Sequence, residues 1–266
     1  MNNLACIIAG EPNSINTEII GKIWKKKNSF KNLNIFIIGN YLLIKKQLKI
    51  IGIKTNIGKI SKINDENFKK KLLVYDVPLK FSNPFKVDQK DKSKYIIQCI
   101  KLASKLAKNK KVCGFINCPI NKRSTFGNNF TGVTEFLAKK EGVLGKEAML
   151  IYNKKLSVSP ITTHIKIKKI SGKISSKLIF DKLITINEFY KKKFKLKPKI
   201  ALLGLNPHND ELRKDSEEKK IIIPTINRLK KRKMRVYGPL SGDTAFSNIK
   251  KNKFNVIVGM YHDQVL

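Results

Sequence analysis

The chain has 266 residues, of which 41% are hydrophobic, and a formal net charge of +37 at pH 7. This length and composition are ordinary for a globular protein with one large core or two modest ones. The apolar stretches are too short to predict a membrane span, and the N-terminus lacks the basic start and the cleavage site of a signal peptide. Cytoplasmic location is therefore the default expectation.

The positive charge comes from lysine that is distributed along the whole chain. A basic surface of this size usually indicates nucleic acid, because neutralised phosphates release counterions. Arginine is rare, however, and no basic motif is interleaved with aromatic residues. The joint heavy use of lysine, isoleucine and asparagine is better explained by an AT-rich coding sequence. The charge distribution therefore argues against nucleic-acid binding, and we expect the positive field to attract an anionic substrate.

The four cysteines, Cys6, Cys99, Cys113 and Cys118, form no CxxC pair. Three of them lie in or beside apolar runs, where a reduced thiol behaves as a small hydrophobic group. We expect structural thiols rather than a zinc ribbon or a disulfide framework.

Short apolar, β-branched runs alternate with longer amphipathic segments, which is typical of strands separated by crossover helices. The predicted fold class is α/β. In chain order, the predicted strands are residues 4–9, 34–38, 72–77, 112–117, 147–151, 199–203 and 255–258. The predicted helices are residues 16–27, 41–50, 92–109, 134–140, 175–193 and 216–232, the last with a break or restart at Pro224.

The loop after the first predicted strand does not carry a nucleotide-binding fingerprint. It reads GEPNSIN from Gly10, rather than GxGxxG, and the chain has no Walker A sequence. No flexible linker or internal repeat divides the chain. We expect residues 1–266 to form a single two-lobed catalytic unit, with the seam between lobes near residues 119–132 and again beyond His164.

The chain has only three histidines, His164, His208 and His262, and each lies in a short polar segment just beyond an apolar run. Ligands of open α/β sheets bind outside the carboxyl ends of the strands. Three imidazoles delivered from strand ends could form an open catalytic metal site. Spacing alone leaves the alternative open that they are unrelated loop residues, because dozens of residues separate them.

Many of the short segments that follow the predicted strands, called strand exits below, have sequences that occur in the same order in one enzyme family. The segments are GEP at 10–12 with Glu18, PINK at 119–122, FTGVTEFLA at 130–138, TTH at 162–164, GLNPH at 204–208, GPL at 238–240 with Asp243 and Thr244, and MYHDQ at 260–264. In these segments the chain resembles the 4-hydroxythreonine-4-phosphate dehydrogenases, NAD-dependent enzymes of vitamin B6 synthesis. The resemblance runs from near Gly10 to the last residues, and it favours the metal-binding interpretation of the histidines.

The resemblance implies the fold of the isocitrate and isopropylmalate dehydrogenases, with two lobes and a cleft between them, and a homodimer with a shared active site. It implies a divalent metal (zinc, magnesium or cobalt) bound by His164, His208 and His262. It also implies oxidation of 4-phosphohydroxy-L-threonine at C3 by NAD or NADP, followed by decarboxylation to 3-amino-2-oxopropyl phosphate. A Lewis acid suits both steps, because it lowers the pKa of a bound hydroxyl and stabilises the enolate.

Further site residues follow from the same motifs. Asp243 and Asp263 are the carboxylates expected to transfer protons or to orient a ligand histidine, although Asp243 could equally cap a helix. Thr134 matches a substrate-contacting threonine near the start of a helix, where backbone N–H groups favour an anion, but it could also be a capping residue together with Thr131. Lys122 could meet phosphate or carboxylate.

The chain departs from the family pattern at two places. Val133 stands where the family usually has a histidine, so one substrate contact is lost, because valine donates no hydrogen bond. Family members also continue beyond the position of Leu266 with a lysine, an asparagine and an arginine that hold the substrate phosphate. If residue 266 ends the protein, we expect weak activity or none.

Two alternative functions follow from these departures. Because Val133 removes one substrate contact, the first alternative is a dehydrogenase that acts on a related four-carbon acid phosphate, threonate or erythronate 4-phosphate. The net charge and the short C-terminus would also suit a basic binding protein that has kept the fold and lost catalysis.

Overall fold

The computed structural model describes residues 3–30, 32–63, 68–130, 132–247 and 253–266. The chain divides into two compact units, Met1–Val133 and Thr134–Leu266. Each unit contains a parallel sheet, and helices connect most of its successive strands. The predicted α/β class is therefore confirmed.

The first unit contains a five-stranded parallel sheet. Its strands are β1 (Leu4–Ile8), β2 (Asn34–Gly39), β3 (Ile57–Ile60), β4 (Leu72–Asp76) and β5 (Gly114–Asn117), in the spatial order β3-β4-β2-β1-β5. Its helices are α1 (Asn16–Lys25), α2 (Tyr41–Ile50), α3 (Gln89–Lys108) and α4 (Lys122–Phe126). Every residue of β1 is buried, which explains why this strand reads as a continuous apolar run.

Tyr95 on α3 connects the core of the first unit to the turn between β2 and α2. Its side chain is fully buried, and its hydroxyl accepts a hydrogen bond from the backbone N–H of Asn40 at 2.9 Å. The Asn40 side chain in turn accepts from Leu43 N–H and donates to the Val77 carbonyl, so it caps α2. Burial raises the pKa of Tyr95 well above its ordinary value, and the phenol stays protonated.

The second unit contains a four-stranded parallel sheet. Its strands are β6 (Ser157–Pro160), β7 (Lys199–Leu203), β8 (Arg235–Leu240) and β9 (Val256–Gly259), in the order β6-β9-β7-β8. Helix α5 (Val133–Lys140) begins at the boundary between the units, and α6 (Ser176–Phe194) and α7 (Ile223–Lys231) follow. The largest core cluster joins β7 and β9 to α6 and α7 through buried aliphatic side chains such as Leu183, Leu202, Leu229 and Val258.

Six of the seven predicted strands are confirmed, but the strand at 147–151 is wrong. That segment makes only an isolated antiparallel bridge between Ile151 and Val158. Its carbonyl groups bond to side chains instead, because Glu147 accepts from the Lys182 ammonium and Met149 accepts from the Ser159 hydroxyl. Strands β3, β6 and β8 were not predicted.

The six predicted helices are confirmed, the one at 41–50 with the predicted bounds and the other five with shifted ends, and α4 was not predicted. The helix predicted at 216–232 starts as a π-helical turn, Glu218–Ile222, and becomes α-helical at Ile223. The backbone stays helical from one segment to the next, and Pro224 lies just after the change of helix type, in the first turn of α7. The expected irregularity at Pro224 is therefore a change from π-helix to α-helix rather than a break.

The buried cysteines behave as small apolar groups. Cys6, Cys99 and Cys118 are buried, and all four cysteines are free. Burial raises the pKa of the Cys6 thiol to about 12 and that of Cys118 to about 11, and it raises that of Cys99 as well. These thiols stay protonated at neutral pH.

Among the described residues, no helix is long and apolar enough to span a bilayer.

We expect Tyr95→Phe to destabilise the first unit, because it leaves the buried Asn40 N–H without its acceptor. Such a loss lowers the free energy of unfolding by roughly 1–3 kcal/mol. Trp24 is the single tryptophan of the chain and is buried in this unit, so its fluorescence in a urea titration reports the change. Tyr41→Phe, at a partly exposed position, is the control. Equal stability of the two variants would contradict this role for Tyr95.

Candidate active site

The three histidines follow three adjacent strands of the second sheet. Strand β9 pairs with β6 on one side and with β7 on the other, all parallel. The carboxyl ends of these strands therefore lie side by side, and His164, His262 and His208 follow β6, β9 and β7, respectively. This edge of an open parallel sheet is where ligands bind.

His164 and His262 lie next to each other. Their ring centroids are 5.8 Å apart, with the ring planes tilted by 37°. His164 is exposed and His262 is half-buried. The Nδ1 atom of His262 lies 3.2 Å from an Asp263 carboxylate oxygen, which can fix the tautomer of the ring. The two imidazoles can therefore face one ligand.

His208 makes a different contact. Its Nδ1 atom lies 3.8 Å from a carboxylate oxygen of Asp243, and both side chains are largely exposed. They line a cavity of about 400 Å³ together with Asn206, Tyr261 and Gln264. Within the described ranges, no three histidine, cysteine or acidic side chains are grouped closely enough to hold a metal ion. The structure thus brings His164 to His262 and His208 to Asp243, without assembling all three imidazoles.

The backbone at His208 adopts an uncommon conformation. From His208 to Leu212, φ is positive at every residue, between 47° and 58°. Left-handed backbone is unfavourable for residues with a Cβ atom, so such a run needs support from its surroundings. A Cβ atom on Gly204 would lie 2.0 Å from the Asn209 side-chain oxygen, which explains why glycine precedes this turn.

A buried carboxylate anchors the start of the same turn. Glu218 is completely buried, and one of its oxygens accepts the backbone N–H groups of Leu205 and Asn206 at 2.6 and 2.9 Å. Its other oxygen accepts from the Asn206 side chain at 3.0 Å. Hydrogen bonds to a carboxylate are stronger than those between neutral groups. Glu218 therefore fixes the entry to the segment that carries His208.

Asp243 is ionised over a wider pH range than an ordinary aspartate. A hydrogen bond from the Ser241 hydroxyl is the largest cause that lowers its pKa, and the Thr244 N–H and His208 act in the same direction. The residues from Ser241 to Ser247 form hydrogen-bonded turns, so Asp243 bonds to the backbone locally. The Asp243 carboxylate therefore bonds to nearby groups of its own turn and also lines the cavity.

The remaining predicted site residues lie at helix starts. Lys122 is the exposed first residue of α4, which Asn121 caps. Val133 is the partly buried first residue of α5, and Thr134 follows it in the first turn, exposed. Thr134 is thus inside the helix rather than at its cap. Thr131, the other expected capping residue, lies outside the described residues.

Sequence reasoning gave no role to three side chains that connect the strand exits. Gln264 accepts from Met260 N–H at 2.7 Å and donates to the Gly204 carbonyl at 2.8 Å. Thr162 donates to the Met260 carbonyl at 2.7 Å. Glu218 is the third. Thr162 and Gln264 lie in the TTH and MYHDQ segments, so their proximity to the histidines in the sequence could have pointed to them. Glu218 lies in a charged run that is typical of an exposed surface.

Known structures share this fold. The crystal structure of 4-hydroxythreonine-4-phosphate dehydrogenase from Klebsiella pneumoniae superposes with a TM-score of 0.88 at 26% sequence identity, over 99% of this chain and 82% of that chain. The fold and the polar strand exits define an α/β dehydrogenase of the isocitrate and isopropylmalate dehydrogenase type, as the sequence predicted.

Sequence comparison identifies the family within this class. The profile described as "Pyridoxal phosphate biosynthetic protein PdxA" matches residues 31–266. A 4-hydroxythreonine-4-phosphate dehydrogenase from Sulfurihydrogenibium sp. is 36% identical over 98% of this chain and 80% of that protein. A D-threonate 4-phosphate dehydrogenase from Salmonella typhimurium is 31% identical over 97% of this chain and 80% of that protein. The chain belongs to the PdxA family.

We expect Ser241→Ala to raise the pKa of Asp243 toward its ordinary value, because the variant lacks the hydroxyl that most favours the carboxylate. Carboxyl carbon shifts in an NMR titration of aspartate-labelled protein measure this pKa directly. Ser247→Ala is the matched control, since that hydroxyl bonds to the Thr244 carbonyl. The assignment of Ser241 as the main cause fails if both variants give the wild-type pKa.

Proposed function

We propose that the chain is a metal- and NAD(P)-dependent 4-hydroxythreonine-4-phosphate dehydrogenase. The reaction oxidises 4-phosphohydroxy-L-threonine at C3 and then releases carbon dioxide to give 3-amino-2-oxopropyl phosphate, a step of pyridoxine 5'-phosphate biosynthesis. The observation that carries the proposal is the pairing of His164 with His262 at adjacent strand exits, in a chain of the PdxA family.

The donor set fits a divalent metal that accepts imidazole. His164 and His262 are close enough to share one ligand, and His208 follows the strand on the other side of β9. Imidazole suits zinc and cobalt, whereas magnesium prefers oxygen ligands, so the histidines favour the former. A divalent ion held by His164, His208 and His262 would supply Lewis acidity for loss of the hydroxyl proton and of carbon dioxide.

The two carboxylates have separate roles in this proposal. Asp243 lines the cavity beside His208, where its carboxylate can accept the proton of the substrate hydroxyl. Asp263 contacts Nδ1 of His262, so the other ring nitrogen of that histidine would be available to hold a metal. Asp243 is thus the catalytic base and Asp263 positions a ligand.

The substrate is anionic, and the remaining site residues suit an anion. Thr134 lies in the first turn of α5, where its exposed hydroxyl can meet phosphate or carboxylate. In the other unit, Lys122 carries an exposed ammonium at the start of α4, which suits the same kind of group. The net charge of +37 raises the local concentration of phosphorylated substrate. We further propose a homodimer with a shared active site, on family grounds.

A second candidate substrate is D-threonate 4-phosphate. It is favoured by Val133, which offers no hydrogen bond at the start of α5, and by the similarity to the Salmonella enzyme of that name. The two substrates differ at C2, where one carries an amine and the other a hydroxyl. A polar contact at that carbon would therefore decide between them.

The test is NADH formation by the full chain with each substrate, at saturating zinc or cobalt. We expect His164→Ala and His262→Ala to lower kcat/KM by roughly 100-fold or more, because Lewis-acid assistance is worth several kcal/mol. Lys230→Ala, an exposed change on α7, should keep the wild-type rate. Turnover of neither substrate by the wild type, or full activity of both histidine variants, would overturn the proposal.

We expect Val133→His to shift specificity toward 4-phosphohydroxy-L-threonine. A neutral imidazole nitrogen can accept a hydrogen bond from the C2 ammonium of that substrate, whereas D-threonate 4-phosphate offers only a neutral hydroxyl there. A hydrogen bond to a charged group is worth roughly 1.5–3 kcal/mol and one between neutral groups roughly 0.5–1.5 kcal/mol, so the ratio of kcat/KM for the two substrates should rise about tenfold. Val133→Leu changes the size of the side chain without adding a hydrogen-bonding group and is the control. An equal shift in both variants would mean that shape, rather than hydrogen bonding, determines specificity here.

A further inference from the structure

We propose that Gln264 and Thr162 are positioning residues that hold the three histidine-bearing strand exits in register through the backbone of Met260. This role rests on the proposed metal-dependent function. The two side chains make polar contacts that connect β6 to β9 and β9 to β7 beyond the last ladder pairs of the sheet.

Gln264 connects the exit of β9 to the exit of β7. Its amide oxygen accepts the Met260 N–H at 2.7 Å, and its amide nitrogen donates to the Gly204 carbonyl at 2.8 Å. Both halves of the amide are used, so a residue with only donors or only acceptors cannot replace it. Gly259 leaves room for this arrangement, since a Cβ atom there would lie 2.9 Å from the Gln264 oxygen.

Thr162 connects the exit of β6 to the same residue. Its hydroxyl donates to the Met260 carbonyl at 2.7 Å, and its backbone N–H donates to that carbonyl at 3.1 Å. Thr162 is buried, and Met260 is fully buried in the core cluster of the second unit. The shared anchor is therefore held by packing as well as by hydrogen bonds.

The contacts form one connected path. From the segment of His164, the path runs through Thr162 to Met260, and then through Gln264 to Gly204, which precedes the turn with His208. His262 lies between Met260 and Gln264 in the chain. Glu218 fixes the next two N–H groups after Gly204. A shift of one exit must break a bond to another, so the relative positions of the imidazoles depend on these side chains.

The test compares Co²⁺ binding by full-length variants, using isothermal titration calorimetry and the visible absorption of bound Co²⁺. Gln264→Met keeps the length of the side chain and removes both hydrogen bonds. Thr162→Val removes the hydroxyl, and Thr162→Ser keeps it. Thr225→Val is the matched control, because the hydroxyl of that buried threonine contacts Ser176 and Ile221 in the helical layer, away from the strand ends.

We expect Gln264→Met and Thr162→Val to weaken Co²⁺ binding by roughly 10- to 100-fold, the usual effect of losing a residue that orients ligands. Their Co²⁺ spectra should change, whereas Thr162→Ser and Thr225→Val should bind like the wild type. Thermal unfolding of each metal-free variant separates this effect from general destabilisation.

Wild-type Co²⁺ affinity in Gln264→Met and Thr162→Val would overturn the positioning role and leave the proposed metal site intact. An equal loss of affinity in Thr225→Val would also overturn it, because the effect would then follow stability alone. If the wild type bound no Co²⁺, the proposed metal site would fail, and this role with it.

Discussion

The pairing of β9 with both β6 and β7 is the constraint on which the candidate site depends. His164, His208 and His262 are far apart in the sequence, and this order of parallel strands places their segments side by side at one edge of the sheet. All residues of β9 are buried, so the strand cannot slip to the edge without exposing its apolar side chains. Core formation therefore brings the three histidine segments to this edge, and the polar contacts beyond the strand ends connect those segments to one another.

Strands that are buried on both faces could be predicted, and strands with polar or proline-containing sequences could not. β1, β2, β7 and β9 read as continuous apolar runs because helices cover their sheets. β6 contains two serines and a proline, and its burial depends on distant partners, since Ser157 bonds to the Tyr190 hydroxyl and Ser159 to the Met149 carbonyl. The apolar segment at 147–151 lies beside β6 and supplies such partners, which is why it is not itself a strand.

The candidate site was accessible from the sequence to the extent that its residues lie in short motifs at strand exits. The MYHDQ and GLNPH segments predicted where His262 and His208 lie relative to strands, and the structure places them there. The burial of Glu218 could not be predicted, because a glutamate between Glu217 and two lysines resembles an exposed helix start. Its buried position follows from the π-helical turn before α7 and from the free N–H groups of Leu205 and Asn206.

The left-handed turn at His208 shows how the same structure can keep an unfavourable backbone. Left-handed conformation costs roughly 1–2 kcal/mol for each residue with a Cβ atom, so five in succession would not persist in an isolated loop. Gly204 allows the close approach of Asn209, and Glu218 holds the entry with charge-assisted hydrogen bonds. Such support is expected where a side chain must be held in one orientation. The backbone strain therefore coincides with the histidine that faces Asp243 and the cavity.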